Sequence, residues 1–455
     1  MNILIVLCVA VGSFPCLLGK PEKSDVGSDL GMKIFDQVAK AQPTENIVMS
    51  PHGMVSLLWI LQFGADGETR KQLNDVLKYS QHDTYKRLKT VHKSLTASKN
   101  EDAVTFATGI FVPSDLVLEK SFIKQCSKIY KAEPTNVNFA ESEAAASIIN
   151  TWANSHTKGM ITEIISPSTL DEATKLLVAN AIYFKGAWKS KFNAALTNEQ
   201  DFTGADGNMY RVPMMFRSSK FMLAVCFCHT TVFHTLNREI SCCTRNLSSN
   251  FEMICFCFIG TASTPNEVKY DVLQLPYNGA ACMFFILPTD RKTALTEITP
   301  HINVNSIKEW KKIMELMKAD VTIPRFTAES ETNLEKLLVP LGITNIFEPD
   351  TANFKKLTKG LGLYVSQILH KAKIEVNEEG TEASGMSAAM FMLKSLPPQF
   401  TANRPFLYMI WHETTALDNI QYFVAGCESF IRELFLDCSE YVHMPQNLWV
   451  HKGHD

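Results

Sequence analysis

Residues 371–406 read KAKIEVNEEGTEASGMSAAMFMLKSLPPQFTANRPF. The stretch opens as a strand: Ala372, Ile374 and Val376 alternate with Lys371, Lys373 and Glu375, the period of a sheet with one buried face. Asn377-Glu378-Glu379-Gly380 breaks the pattern, and alternation resumes from Thr381 to Leu393. Thr381, Ala383, Gly385, Ser387, Ala389, Phe391 and Leu393 make an uncharged, mostly small face that can pack into a sheet. Glu382, Ser384, Met386, Ala388, Met390 and Met392 make the other face. Lys394-Ser395 and Pro397-Pro398 then belong in an exposed loop. A loop with a strand pattern is a candidate for conditional strand addition, in which backbone hydrogen bonds supply the gain. Pattern alone favours a plainer reading, an edge strand followed by a turn.

The surrounding chain is 455 residues long, 46% hydrophobic and 20% charged, an ordinary globular composition with room for a large core. A net charge of −3 gives no reason to expect a nucleic-acid partner. Residues 1–19 read as a secretory signal, with the apolar run Ile3 to Val11 and small Gly19 at the cleavage point. No other run reaches the roughly 18 apolar residues of a membrane span. The expectation is a protein secreted to the extracellular space. With no linker, charge block or repeat, residues 20–455 read as a single domain. Six of the twelve cysteines crowd between Cys226 and Cys257, without a spacing that fixes a disulfide connectivity or a zinc site, so no metal is expected.

Leu30, Ile34, Phe35 and Val38 mark a first helix from about Ser28 to Ala41. Ser50-Pro51 starts a second, with Ser as N-cap and Pro in the first turn, and MVSLLWILQF makes its body apolar almost all round. Further helices run from about Glu68 to Lys78, Asp83 to Ala97 and Glu141 to His156, with a strand at VTFATGIFV (104–112). The helix from Asp83 places Lys86, Lys89 and Lys93 on one face, with Arg87 at its edge. Spacing alone makes this a solvated face, although several ammonium groups within a Debye length also attract polyanions.

EVNEEGTEAS, a variable stretch and then NRPFLYMI resemble the hinge, reactive-centre loop and following strand of the serpins. NIVMSPHGMVSLL and LLVANAIYFKGAWKSKF resemble two further signatures of that family. The resemblance covers roughly residues 27–220 and 261–416. It implies an α+β serpin fold with a large central mixed β-sheet, two smaller sheets, about nine helices and an exposed reactive-centre loop. It also implies a monomeric inhibitor of trypsin-like serine proteases (thrombin-, plasmin-, plasminogen-activator- or trypsin-like) that works by loop insertion.

By that resemblance the reactive bond is Lys394–Ser395, and the hinge comprises Glu378, Gly380, Thr381, Ala383, Ser384 and Gly385. Gly385 and Met386 depart from the family's usual Ala/Thr run. Ser50, Ser56, Asn180 and His370 match the shutter that controls sheet opening, where Gly53 replaces the usual Ser. Trp188 marks the point of loop entry, and Arg325 aligns with the residue that pairs with the acidic hinge residue Glu378. Lys86, Arg87, Lys89 and Lys93 match the family's site for heparin or heparan sulfate, the only modulator implied, with no cofactor. The alternative is a non-inhibitory extracellular binding serpin or an inactive isoform.

Two stretches break the resemblance. An apolar, Cys-rich window at about 221–260 interrupts a short connection and carries the glycosylation sequon at Asn246. After FLYMIWHETTA the tail at about 417–455 shows no recognisable counterpart of the family's final core strand. Gln421-Tyr-Phe-Val is its one strand-like run, and losing a buried strand would cost more than the net stability of a domain. There is no G-x-S-x-G, P-loop or G-x-G-x-x-G, and His412-Glu413 fails the H-E-x-x-H pattern, so no catalytic residues are assigned.

Overall fold

The computed structural model describes residues 26–43, 45–78, 89, 103–130, 133–224, 262–380, 397–412 and 420–427. Outside them lie residues 1–19, read from sequence as a secretory signal, Lys86, Arg87 and Lys93, residues 225–261 with Asn246, the stretch 381–396, and the tail after Cys427.

The chain begins with α1 (Val26–Ala41), β1 (Ile47–Met49), α2 (Pro51–Gly64) and α3 (Gly67–Leu77). Next come β2 (Val104–Pro113), α4 (Lys120–Tyr130), β3 (Thr135–Val137), α5 (Ser142–His156) and β4 (Leu176–Phe184). A run of strands follows: β5 (Asn198–Thr203), β6 (Met209–Ala224), β7 (Ala262–Ser263), β8 (Lys269–Pro276) and β9 (Ala281–Pro288). After α6 (Val304–Ile313) the chain forms β10 (Glu315–Pro324), β11 (Phe326–Asn333), α7 (Glu335–Leu338) and β12 (Val365–Val376). It finishes with β13 (Gln399–Thr401), β14 (Phe406–His412) and β15 (Ile420–Cys427).

Five strands form a mixed sheet in the order β11-β12-β4-β2-β3, and β12 and β4 are parallel neighbours in its middle. Every residue of β4 is buried, which explains its nearly continuous apolar run. Leu177, Ala179 and Ala181 pack with Ile149 and Ala153 of α5. Leu176 and Val178 face the opposite way, into the core that α2 fills. Helix α2 is itself buried along its length, and Ser50 caps it by accepting a hydrogen bond from the Gly53 amide at 3.1 Å. On β12, Ala372, Ile374 and Val376 are buried and the intervening residues are half-buried, as the alternation predicts.

The expected two smaller sheets are joined into one path, β1-β15-β14-β9-β8-β6-β10-β13. The join is β6, sixteen residues long, which pairs with β5 and β10 along its length and with β8 at its end. Phe221 to Ala224, read from sequence as the start of the insert, therefore belong to β6.

In the tail, the strand-like run Gln421-Tyr-Phe-Val falls inside a longer strand. Ile420–Cys427 is a strand, antiparallel to β14 on one side and to β1 on the other. Alternation in this run is poor, so the strand is fixed by two waiting edges more than by its own pattern.

Candidate functional site

The register of β12 on β4 sets His370 directly opposite Asn180, on the face that looks toward α2. There the start of α2 meets them. The Ser50 amide donates to His370 Nε2 at 2.8 Å, so Nε2 accepts and the ring proton sits on Nδ1. That Nδ1–H donates to Asn180 Oδ1 at 3.1 Å. The Asn180 amide group donates in turn to the Ala107 carbonyl at 2.8 Å and to Thr108 Oγ1 at 3.2 Å, tying β2 into the cluster. Ser50, Asn180 and His370 are fully buried. Burial pushes the imidazole down to about 3, so it is neutral at physiological pH.

Gly53 stands at the point of closest approach. A Cβ there would lie 2.2 Å from Asn180 Oδ1 and 3.2 Å from His370 Cε1. The missing side chain is what lets the Asn180 carbonyl reach His370 directly. Ser56 lies apart from this chain of bonds: its hydroxyl donates to the His52 carbonyl at 2.7 Å, and Tyr130 donates to the Ser56 carbonyl at 3.3 Å. The structure thus joins three of the four residues expected to form a shutter and places the fourth further along α2.

A second cluster closes the far end of the same seam. Past β12 the chain turns at Asn377–Gly380 and is held against the segment after β4. Trp188 and Phe192 donate their amides to the carbonyls of Glu379 and Glu378 at 2.9 and 3.1 Å, and Gly380 bridges Trp188. The buried Trp188 indole donates to the Asn377 carbonyl at 2.7 Å and stacks on Tyr277, with centroids 4.3 Å apart and planes within 9°. Glu378 accepts from Thr197 Oγ1 at 2.7 Å and lies 3.5 Å from Arg325 Nη1. Lys185 reaches Glu375 at 2.8 Å and Glu379 at 3.6 Å, and Tyr183 donates to Glu375 at 3.0 Å. Burial raises the Glu375 carboxyl, but the bonds from Lys185 and Tyr183 outweigh it and hold the group below its ordinary value.

Sequence reading anticipated Trp188, Arg325 and Glu378 but missed Tyr277, Thr197 and Lys185. Tyr277 could have been suspected, since an aromatic residue before Asn278-Gly279 ends a strand at a turn. Nothing local marks the other two. Thr381, Ala383, Ser384, Gly385, Lys394 and Ser395 lie outside the described residues. Of the four basic residues expected to bind heparin, Lys89 alone is described; it is helical and exposed. Among the described residues no group of three or more His, Cys, Asp or Glu could hold a metal, and no helix is long and apolar enough to cross a membrane.

The family model for serpin (serine protease inhibitor) matches residues 25–240 and 244–423. The chain belongs to the serpin family. Glia-derived nexin of Rattus norvegicus is 38% identical over 413 residues, covering 90% of this chain and 95% of that protein. Plasminogen activator inhibitor 1 of Neovison vison is 34% identical over 401 residues, 88% of this serpin and 91% of its relative. The crystal structure of native protease nexin-1 with heparin superposes with a TM-score of 0.77 at 36% identity, covering 89% of this serpin and 98% of that chain. Uncleaved ovalbumin, at 23% identity and a TM-score of 0.72, shares the fold. These relatives place the serpin among serine-protease inhibitors and not among enzymes.

Proposed function

We propose that this serpin is secreted and inhibits trypsin-like serine proteases as a suicide substrate, with sulfated polysaccharide as modulator. The carrying observation is the closed parallel seam between β4 and β12, continuous through the Asn377–Gly380 turn with the stretch that begins at Thr381. Gly380 still runs parallel to Trp188, so a segment that folded back beyond it would run antiparallel to both β12 and β4. Inserting it breaks one parallel ladder and forms two antiparallel ones, which favours the inserted state once the ends are free.

Cleavage supplies that freedom. The protease serine attacks the Lys394 carbonyl carbon, the amine of Ser395 leaves with a proton, and an ester links Lys394 to the protease. Lysine suits a primary pocket with an acid at its base. Residues 381–393 then enter the seam behind the small residues Thr381, Ala383, Ser384 and Gly385. The attached protease is pulled across the molecule and its active site is distorted before the ester hydrolyses. Trp188, Arg325 and Glu378 hold the entry closed beforehand, and Ser50, Asn180 and His370, with Ser56 nearby, hold the middle.

Glia-derived nexin and plasminogen activator inhibitor 1 as relatives, and a neighbour solved with heparin, support the inhibitory and polyanion parts of this reading. Lys86, Arg87, Lys89 and Lys93 are the proposed heparin contacts and Asn246 the glycan site. Residues 20–455 act as a single domain once the signal is removed.

The test is incubation of the secreted protein with trypsin, thrombin and plasmin, read by denaturing gel and mass spectrometry. A covalent band with a released fragment beginning at Ser395 is expected. In Thr381→Arg the covalent band should vanish while cleavage at Lys394 persists, because insertion would bury an unpaired charge. Normal complex formation by that variant would overturn the insertion account. Cleavage without any complex in the wild type would support a non-inhibitory serpin instead.

A further inference from the structure

Helix α4 reads KSFIKQCSKIY and contains no acidic residue. Lys120, Lys124 and Lys128 recur every four residues, so they line one side over about 12 Å of helix. All three are exposed, opposite the buried side formed by Phe122, Cys126, Ile129 and Tyr130. None is ion-paired with another described residue.

Beside this stripe, a cleft of about 370 Å³ separates α4 from the segment Lys355–Lys359. Its walls are Glu119, Ser121 and Gln125 on one side and Lys355, Lys356 and Lys359 on the other, and Phe63 and Phe122 also line it. The two walls are locked together. Glu119 donates its amide to the Leu357 carbonyl at 2.8 Å, and the Thr358 hydroxyl donates to the Val117 carbonyl at 2.7 Å. Lys356 lies 3.4 Å from Asp66 and Lys359 3.9 Å from Glu119, while Lys355 has no carboxylate partner among the described residues. Among the described residues the six lysines of α4 and this wall thus have two carboxylate partners, Asp66 and Glu119, and like charges within a Debye length of one another add their fields.

We propose that this face of α4 and the Lys355–Lys359 wall form a binding site for a sulfated polysaccharide chain, separate from the helix at 83–97. The stripe tracks a linear polyanion, and the cleft offers polar walls for sugar hydroxyls and sulfates. No aromatic side chain is exposed on it for bases to stack upon, which disfavours single-stranded nucleic acid. Val117 and Leu361 are exposed on the adjoining loops, but two short apolar side chains bury too little for stable membrane anchoring. The ligand class rests on the polyanion-modulated reading above; the location does not.

The experiment uses the full secreted chain on immobilised heparin, with salt titrations of affinity. K120A/K124A/K128A and K355A/K359A should each weaken binding at physiological salt by about tenfold or more and flatten the salt dependence. K308A/K311A/K312A on α6, which removes as many charges as the α4 variant, should change it by less than about threefold. Melting temperatures check that each variant is folded. Unchanged heparin affinity in the α4 and cleft variants, or an equal loss in the α6 control, would overturn the site. So would loss of binding to phosphatidylserine vesicles with heparin affinity intact. Covalent complex formation with trypsin in the absence of heparin should be the same in every variant. If the wild type forms no complex at all, the inhibitory reading fails while the heparin measurement still decides this one.

Discussion

His370 is the residue whose chemistry is most constrained by its surroundings. Its Nε2 must accept from Ser50 while its Nδ1–H donates to Asn180, and the first of these bonds needs the neutral ring. The folded group titrates at about 3 against an ordinary 6.5. Between those values the unfolded chain binds a proton that the folded one refuses. Stability from this group is therefore complete above the unfolded value and is lost as pH falls toward the folded one. The slope approaches about 1.4 kcal/mol per pH unit. Urea melts from pH 7 down to 5 should show this loss, and His370→Gln should flatten it. Glu375, held below its ordinary 4.5, adds its own loss only at lower pH, so the two separate. An unchanged slope in the variant would mean that another group titrates. The Gly53 vacancy belongs to the same scale: one absent side chain decides that Asn180 and His370 touch.

At the scale of elements, the seam between β4 and β12 is closed by different means at its middle and at its entry. The middle relies on buried neutral hydrogen bonds, whereas the entry combines backbone bonds, a stacked indole and exposed charges. Arg325 is half exposed, so its pair with Glu378 is worth little after solvent screening. Trp188 matters more. Trp188→Phe keeps most of the stacking on Tyr277 but leaves the Asn377 carbonyl without its donor, at a cost of about 1–3 kcal/mol. Hydrogen exchange should accelerate at Trp188 and Phe192, whose amides bond Glu379 and Glu378, while the amides of α5 stay protected. Uniform loss of protection across the sheet would show that the turn is not a separate latch. The elements around this latch were legible to different degrees. The β12 alternation and the Ser50-Pro51 start of α2 are local signals, and they stand where the sequence puts them. Thr197 and Lys185 carry no local signal; their roles follow from where β12 ends.

For the whole molecule, the final strand is decisive. β15 lies between β1 and β14, so one strand closes an edge made near the start of the chain onto one made near its end. A chain ending before Ile420 would leave both edges unpaired and should lose cooperative folding, since losing the ladders on both sides outweighs the few kcal/mol of net stability. Near-UV circular dichroism and a thermal melt of that truncation would show it. A sharp melt at the full-length temperature would mean that β15 is dispensable.

By itself the sequence determined the amphipathic and alternating segments and the α2 cap, which follow from side-chain period and local backbone preference acting within a few residues, and its motifs carried the resemblance to the family. Tertiary structure decided the pairing of His370 with Asn180 across β12 and β4, the partners of Glu378, the alignment of α4 with the Lys355–Lys359 wall, and the conversion of an irregular tail into β15. These depend on register and on edges offered by distant strands. A weakly patterned run such as Ile420–Cys427 becomes a strand because two unpaired ladders already flank the place it fills.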